Sequence, residues 1–108
     1  MINQEKIQEI QILEQNLQNV LFQKQAFQLE LNEIDAAMEE LEKTEDEVYK
    51  ITGQILIKTD KNSLKKELQD KKKIFELRIS SIEKQEKAIN DKIDKIRAEF
   101  HDNTGKKK

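Results

Sequence analysis

Large apolar residues recur at alternating steps of three and four along most of this chain, and the pattern breaks once. From Ile10 the positions are Ile10, Leu13, Leu17, Val20, Lys24, Phe27, Leu31, Ile34, Met38, Leu41, Glu45 and Val48, of which ten of twelve are apolar. A matching ladder runs through Leu68, Lys72, Phe75, Ile79, Ile82, Glu86, Ile89, Ile93, Ile96 and Phe100, eight of ten apolar. A stripe kept at an average period of about 3.5 residues demands a partner helix, because a lone helix would leave it in water. Asn62 or Ser63 stands where a polar side chain would cap the start of the second helix. The connection is short, so the economical partner for each helix is the other one, folded back antiparallel.

Between the ladders, Val48-Tyr49-Lys50-Ile51-Thr52-Gly53-Gln54-Ile55-Leu56-Ile57-Lys58 predicts a β-hairpin in preference to a helix running through. Tyr49, Ile51, Ile55, Leu56 and Ile57 are strand formers, and Gly53-Gln54 puts glycine first in a two-residue loop, as a type II′ turn requires. Ile55-Leu56-Ile57 is apolar without alternation, so both faces of that strand are expected to be covered. An isolated hairpin is marginal in water and leaves both edges unpaired. Val48, Tyr49, Ile51, Gly53, Ile55, Leu56 and Ile57 are therefore the candidate assembly residues, completing their sheet with other chains. The expected architecture is mainly α, a long antiparallel two-helix coiled coil with one β-hairpin at the connection. It is one unit: a helix over about 1–46, a hairpin over about 47–60, a helix over about 62–102 and a flexible tail over about 103–108.

Composition agrees with solvated long helices. Hydrophobic residues make up 35% and charged residues 39%, too polar a mixture for a compact globule. Proline is absent, and the only glycines are Gly53 at the hairpin and Gly105 near the end, both where a helix should stop. The net charge of -2 hides an uneven distribution: residues 1–47 hold 3 Lys against 12 Asp/Glu, and residues 48–108 hold 17 Lys/Arg against 10 Asp/Glu. Mutual attraction of an acidic and a basic arm is preferred to nucleic acid binding by the basic arm, which lacks interleaved aromatics. If the helix end near Asp46 lies level with the start near Ser63, Lys24 falls opposite Gln85 and Glu86. Lys24 and Glu86 then interrupt both seams at one height, either fixing register and orientation or leaving Lys24 to snorkel to solvent.

Several kinds of chemistry are missing. No cysteine offers a disulfide or a thiolate metal site. No glycine-rich loop with a lysine holds phosphates, and His101, the sole histidine, has no spaced partner, so neither cofactor nor metal is expected. Acidic pairs such as Glu39-Glu40 lack an apolar pocket to separate their pKa values into acid and base, and no enzymatic activity is expected. No apolar run reaches the roughly 18 residues needed to cross a bilayer, and the start of the chain lacks signal-peptide design. The expected location is cytoplasmic, without membrane or nucleic acid as partner. Lys106-Lys107-Lys108 is read as a disordered end in preference to a contact with an acidic partner or a membrane.

Function is expected at the arm ends farthest from the hairpin. Ile2, Ile7, Ile10 and Leu13 on one helix and Ile93, Ile96 and Phe100 on the other are large apolar residues where helices fray. A seam that opens there would offer weak, unselective apolar contacts, and several arms acting together would supply avidity. Ile10, Leu13, Ile93 and Ile96 would equally finish the intramolecular seam, whereas Ile2, Ile7 and Ile12 lie off the ladder. A second stripe off the seam, Phe22, Ala26 and Leu29 with Ile74 and Leu77, is assigned to packing on a neighbouring subunit in preference to lining a cavity between arms.

From about Leu17 to Ile96 the sequence resembles the beta-class prefoldin subunits of archaea. The resemblance runs through Gln23-Lys24-Gln25, Glu47-Val48-Tyr49-Lys50 leading to Gly53 and Ile55-Leu56-Ile57, and Glu83-Lys84-Gln85-Glu86, the hairpin set being the specific part. It implies a hexamer of two alpha-class and four beta-class subunits, with the hairpins joined into β-barrels. It also implies an ATP-independent holdase that captures unfolded polypeptides at the arm tips and delivers them to a group II chaperonin. Alpha-class members carry a longer connector with two hairpins, and the stretch from Val48 to Lys61 has room for one. The alternative is a structural or adaptor coiled coil docking one defined folded partner.

Overall fold

The computed structural model describes the backbone of residues 4–105 and the side chains of residues 4–100. The element order is α1 (Gln4–Lys43), β1 (Val48–Thr52), β2 (Ile55–Thr59) and α2 (Lys61–Gly105). The chain comprises two compact units, one of Met1–Gln25 with Ser80–Lys108 and one of Ala26–Ile79. Ile2 and the Lys106-Lys107-Lys108 end lie outside the described residues, and so does the His101 side chain.

Both helices form because nothing in them breaks the hydrogen-bond ladder and because each has an apolar stripe to bury. Every ladder residue inside a helix is buried or half-buried, and Glu45, beyond the end of α1, is exposed. In the first unit the buried residues are Val20, Ile82, Ile93 and Ile96, and in the second Ile34, Leu41 and Ile79. No described side chain is wholly enclosed, as expected where a two-helix seam covers one face of each residue and leaves its flanks to water.

The helix ends differ from expectation in ways that have local causes. α1 stops at Lys43, about three residues early: the Thr44 hydroxyl donates to the Glu40 carbonyl at 2.8 Å, and the Thr44 N–H reaches the Leu41 carbonyl at 3.2 Å. These bonds tighten the last turn and end it. The first residue of α2, Lys61, donates from Nζ to the carbonyl of Thr44 at 3.0 Å and to that of Glu42 at 3.5 Å, placing a cation at the negative end of α1. Neither Asn62 nor Ser63 caps α2. Asp60 does so, its Oδ2 accepting from the Ser63 N–H at 3.0 Å and from the Ser63 hydroxyl at 3.2 Å. α2 continues through Asn103 and Thr104 to Gly105, where a flexible tail was expected, since no residue before Gly105 obstructs it.

The strands pair antiparallel, with Val48 opposite Thr59, Tyr49 opposite Lys58, Lys50 opposite Ile57, Ile51 opposite Leu56 and Thr52 opposite Ile55. Gly53 has a φ of 61°, and no described non-glycine residue has a positive φ, so Gln54 does not. One positive φ, at the first of the two loop residues, is the type II′ combination. A Cβ at Gly53 would meet nothing within 4 Å, so glycine is required there by backbone conformation and not by space.

Candidate functional site

The hairpin presents two unlike faces. Val48, Lys50, Thr52, Ile55, Ile57 and Thr59 share one, by strand alternation, and Tyr49, Ile51, Leu56 and Lys58 share the other. The first face is partly covered: Val48, Lys50 and Thr59 are half-buried, and Lys50 Nζ lies 3.3 Å from Glu67 Oε1 on α2. The second face is open. Ile51 is 76% exposed and its cross-strand partner Leu56 is 63% exposed. Ile55 and Ile57 are exposed too, so the unalternating apolar run finds no cover on either face within one chain. Both strands are also edges, since the sheet has two strands.

Beside Ile51 and Leu56 lies a polar clamp that hydrophobic patterning missed. Glu47 Oε2 accepts from the Tyr49 hydroxyl at 2.8 Å, and its Oε1 accepts from Lys58 Nζ at 2.8 Å. Lys58 first, then Tyr49, holds the Glu47 carboxyl below the usual carboxylate range, and Glu47 in turn holds the Tyr49 phenol above its ordinary value. The clamp ties the residue before β1 to both strands and fixes the Tyr49 ring on the open face. The signal was present in the sequence, as a carboxylate two residues before Tyr49 and a lysine in the second strand, but it becomes legible only once Tyr49 and Lys58 are known to be partners.

In the first unit the proposed tip residues fall into three groups. Ile7 and Ile12, both off the ladder, are exposed, at 38% and 59%. Ile10, Leu13 and Phe100 are half-buried. Ile93 and Ile96 are buried, at 4% and 6%, and in the closed arm they are seam and not surface. Ion pairs hold this seam at its flanks: Lys6 with Glu99, and Arg97 Nη2 with Glu14 Oε2 at 2.9 Å. All four side chains are at least a third exposed, so salt screens these links.

Nearer the middle of α1, Lys24 Nζ contacts Glu86 Oε1 at 3.1 Å and Glu83 Oε2 at 3.4 Å. The hydrogen bond that Lys24 donates to Glu86, and then that to Glu83, holds the ammonium above the usual lysine range against the desolvation opposing them. Lys24 therefore meets Glu86, where the expected register places it, and Glu83 one turn earlier on α2 joins the contact.

The second unit carries its own cross-links, Lys72 to Asp35 at 2.9 Å and Lys65 to Glu42 at 2.5 Å. The Phe27 and Phe75 rings lie 5.7 Å apart, with the Arg78 guanidinium over both. Of the off-seam stripe, Phe22 in the first unit and Leu29, Ile74 and Leu77 in the second are exposed, as is Leu21, which lies off the ladder. Among the described residues no cluster of His, Cys, Asp or Glu is placed to hold a metal ion, and no helix is long and apolar enough to cross a membrane.

An antiparallel two-helix arm joined by an uncovered hairpin defines a class of protein, the coiled-coil subunit that carries a fragment of a sheet. The family model for prefoldin subunits matches residues 4–107. The prefoldin subunit beta of Thermococcus onnurineus is 42% identical over 77% of this chain and 73% of its own. That of Pyrococcus furiosus is 38% identical over 82% and 77%. Among solved structures, the prefoldin beta subunit from Thermococcus strain KS-1 is similar with a TM-score of 0.86 and 35% identity, covering 91% of this chain and 88% of that one. The chain belongs to the prefoldin family, a family of chaperone subunits and not of enzymes.

Proposed function

We propose that this chain is a beta-class subunit of an ATP-independent holdase. Its hairpin joins those of alpha-class and further beta-class subunits in β-barrels, in a hexamer of two alpha and four beta, and its arm tip captures non-native polypeptide for delivery to a group II chaperonin. The proposed setting is the cytoplasm. Family membership supports the chaperone role, and the exposed Ile51 and Leu56 support assembly through the hairpin. Capture at the tip is carried by one observation: exposed Ile7 and Ile12 stand in the same unit as half-buried Ile10, Leu13 and Phe100 over buried Ile93 and Ile96. Roughly 25 cal/mol for each Å² of apolar surface covered makes such contacts weak singly and useful in number. Ile2, outside the described residues, is assigned to the same surface.

Competition tests this reading against an adaptor for one folded partner. Several unrelated denatured proteins should compete for the assembled complex, and Ile2→Ser, Ile7→Ser and Phe100→Ser together should weaken all of them in parallel by about tenfold or more. Binding confined to a single folded protein, indifferent to denatured competitors, contradicts it.

A further inference from the structure

We propose that the side of α1 turned away from its seam, from Ile12 to Gln25, is a second holding surface for non-native polypeptide, one that takes extended segments whatever their charge. This rests on the reading of the chain as a holdase subunit, and it adds a surface that is present while the seam stays closed.

The first observation is a gap in charge. The chain is 39% charged, yet Lys24 is the one charged residue from Gln15 to Gln25, and it is engaged with Glu86 and Glu83. The eight exposed residues of that stretch are all uncharged, six of them Gln or Asn and the other two Leu21 and Phe22. α2 of the same unit shows how a merely solvated face is built: Lys84, Lys87, Asp91, Lys92, Asp94 and Lys95 are all exposed.

The second observation is spacing. Ile12, Gln15, Asn19 and Phe22 stand three, four and three residues apart, so they share one stripe of the helix, apolar at both ends and amide between. Phe22 is 75% exposed, and Ile12 is exposed with it. The two ends lie about 15 Å apart along the helix, the reach of about four or five extended residues. A chain lying on this stripe can seat a large apolar side chain at each end and turn its unpaired backbone to the amides. A carboxamide both donates and accepts, so it suits N–H and C=O alike, and it brings no charge to desolvate. A folded partner has its backbone groups already paired and a charged surface, and finds little to bond here. A second copy offers the same few apolar residues, far short of the roughly 800 Å² per partner that a stable interface buries.

The assembled complex, carrying benzoylphenylalanine in place of Phe22 or, separately, of Ile7, tests the contact on irradiation with a denatured client. Cross-links to client are expected from both positions. Links from position 7 alone overturn this proposal and leave capture at the tip standing, and links from position 22 to a neighbouring subunit in place of client overturn it too. Links from position 22 alone uphold it and count against the tip. Indifference to charge has its own readout. Gln15→Glu, Gln18→Glu and Gln25→Glu together should shift preference about tenfold from a denatured acidic client toward a denatured basic one, and lysine at the same positions should shift it the other way. Both residues suit a helix, so circular dichroism should not change. Ser80→Glu, Ser81→Glu and Ala88→Glu, exposed on α2 of the same unit, should leave the preference where it was. No shift from the α1 set, or an equal shift from the α2 set, overturns the proposal.

Discussion

Replacing Ile51 by lysine and Leu56 by glutamate is expected to leave both helices and the hairpin folded while abolishing assembly. The two positions face each other directly across the strands, so the new side chains form an opposite-charge pair that supports the hairpin. What they remove is the apolar cover that a neighbouring chain would find. Each of these side chains, fully buried, contributes about 1.5 to 3 kcal/mol, so losing two weakens association by roughly a thousandfold, before any cost of burying charge. Mass in solution should then fall to that of the 12.8 kDa chain, or of the partner alone when mixed with an alpha-class subunit, with helical circular dichroism unchanged. An assembly of undiminished mass would show that the open face of the hairpin is not the joint.

The second large effect concerns how the tip works. Ile93 and Ile96 are buried while Ile7 and Ile12 are exposed, so capture either uses the standing surface or needs the seam to open. The flanking pairs Lys6–Glu99 and Glu14–Arg97 are solvent-exposed and screened by salt, a weak clasp at the flanks of the seam. Opening is therefore the expected route. A Leu17→Cys/Ile89→Cys arm oxidised across the seam should lose most of its capacity for denatured protein, roughly tenfold or more, and regain it on reduction. Because one molecule is compared with itself in two redox states, the substitutions cancel. Undiminished capture by the oxidised arm would assign the activity to Ile7 and Ile12 and leave Ile93 and Ile96 a purely structural role.

Much of the fold was legible because it rests on two short-range signals. The 3.5-residue period named every buried hydrophobic residue described in the two helices, since a stripe that must leave water leaves little choice of face, although half-buried Leu64 lay before the start of the second ladder. Gly53-Gln54 named the turn, since only glycine takes the positive φ at the first loop position without strain. What escaped depended on competition between near-equivalent groups. Asp60, Asn62 and Ser63 all suit a cap, and the choice fell to Asp60 because Ser63 donates to it from both backbone and side chain. Thr44 ended α1 early by bonding back to Glu40, a local competition that hydrophobic periodicity does not register. Periodicity likewise says which residues face a seam but not how tightly they are covered, so the division of the tip between exposed Ile7 and buried Ile93 needed coordinates. The Glu47 clamp needed the strand register as well.

The complex assembled from this chain and an alpha-class partner offers the most direct test, as light scattering from a denatured client diluted into buffer without ATP. Scattering should be suppressed in proportion to the complex added, and suppression should disappear for the Ile51→Lys/Leu56→Glu chain that cannot assemble. Aggregation that proceeds at the same rate with and without the complex contradicts the account.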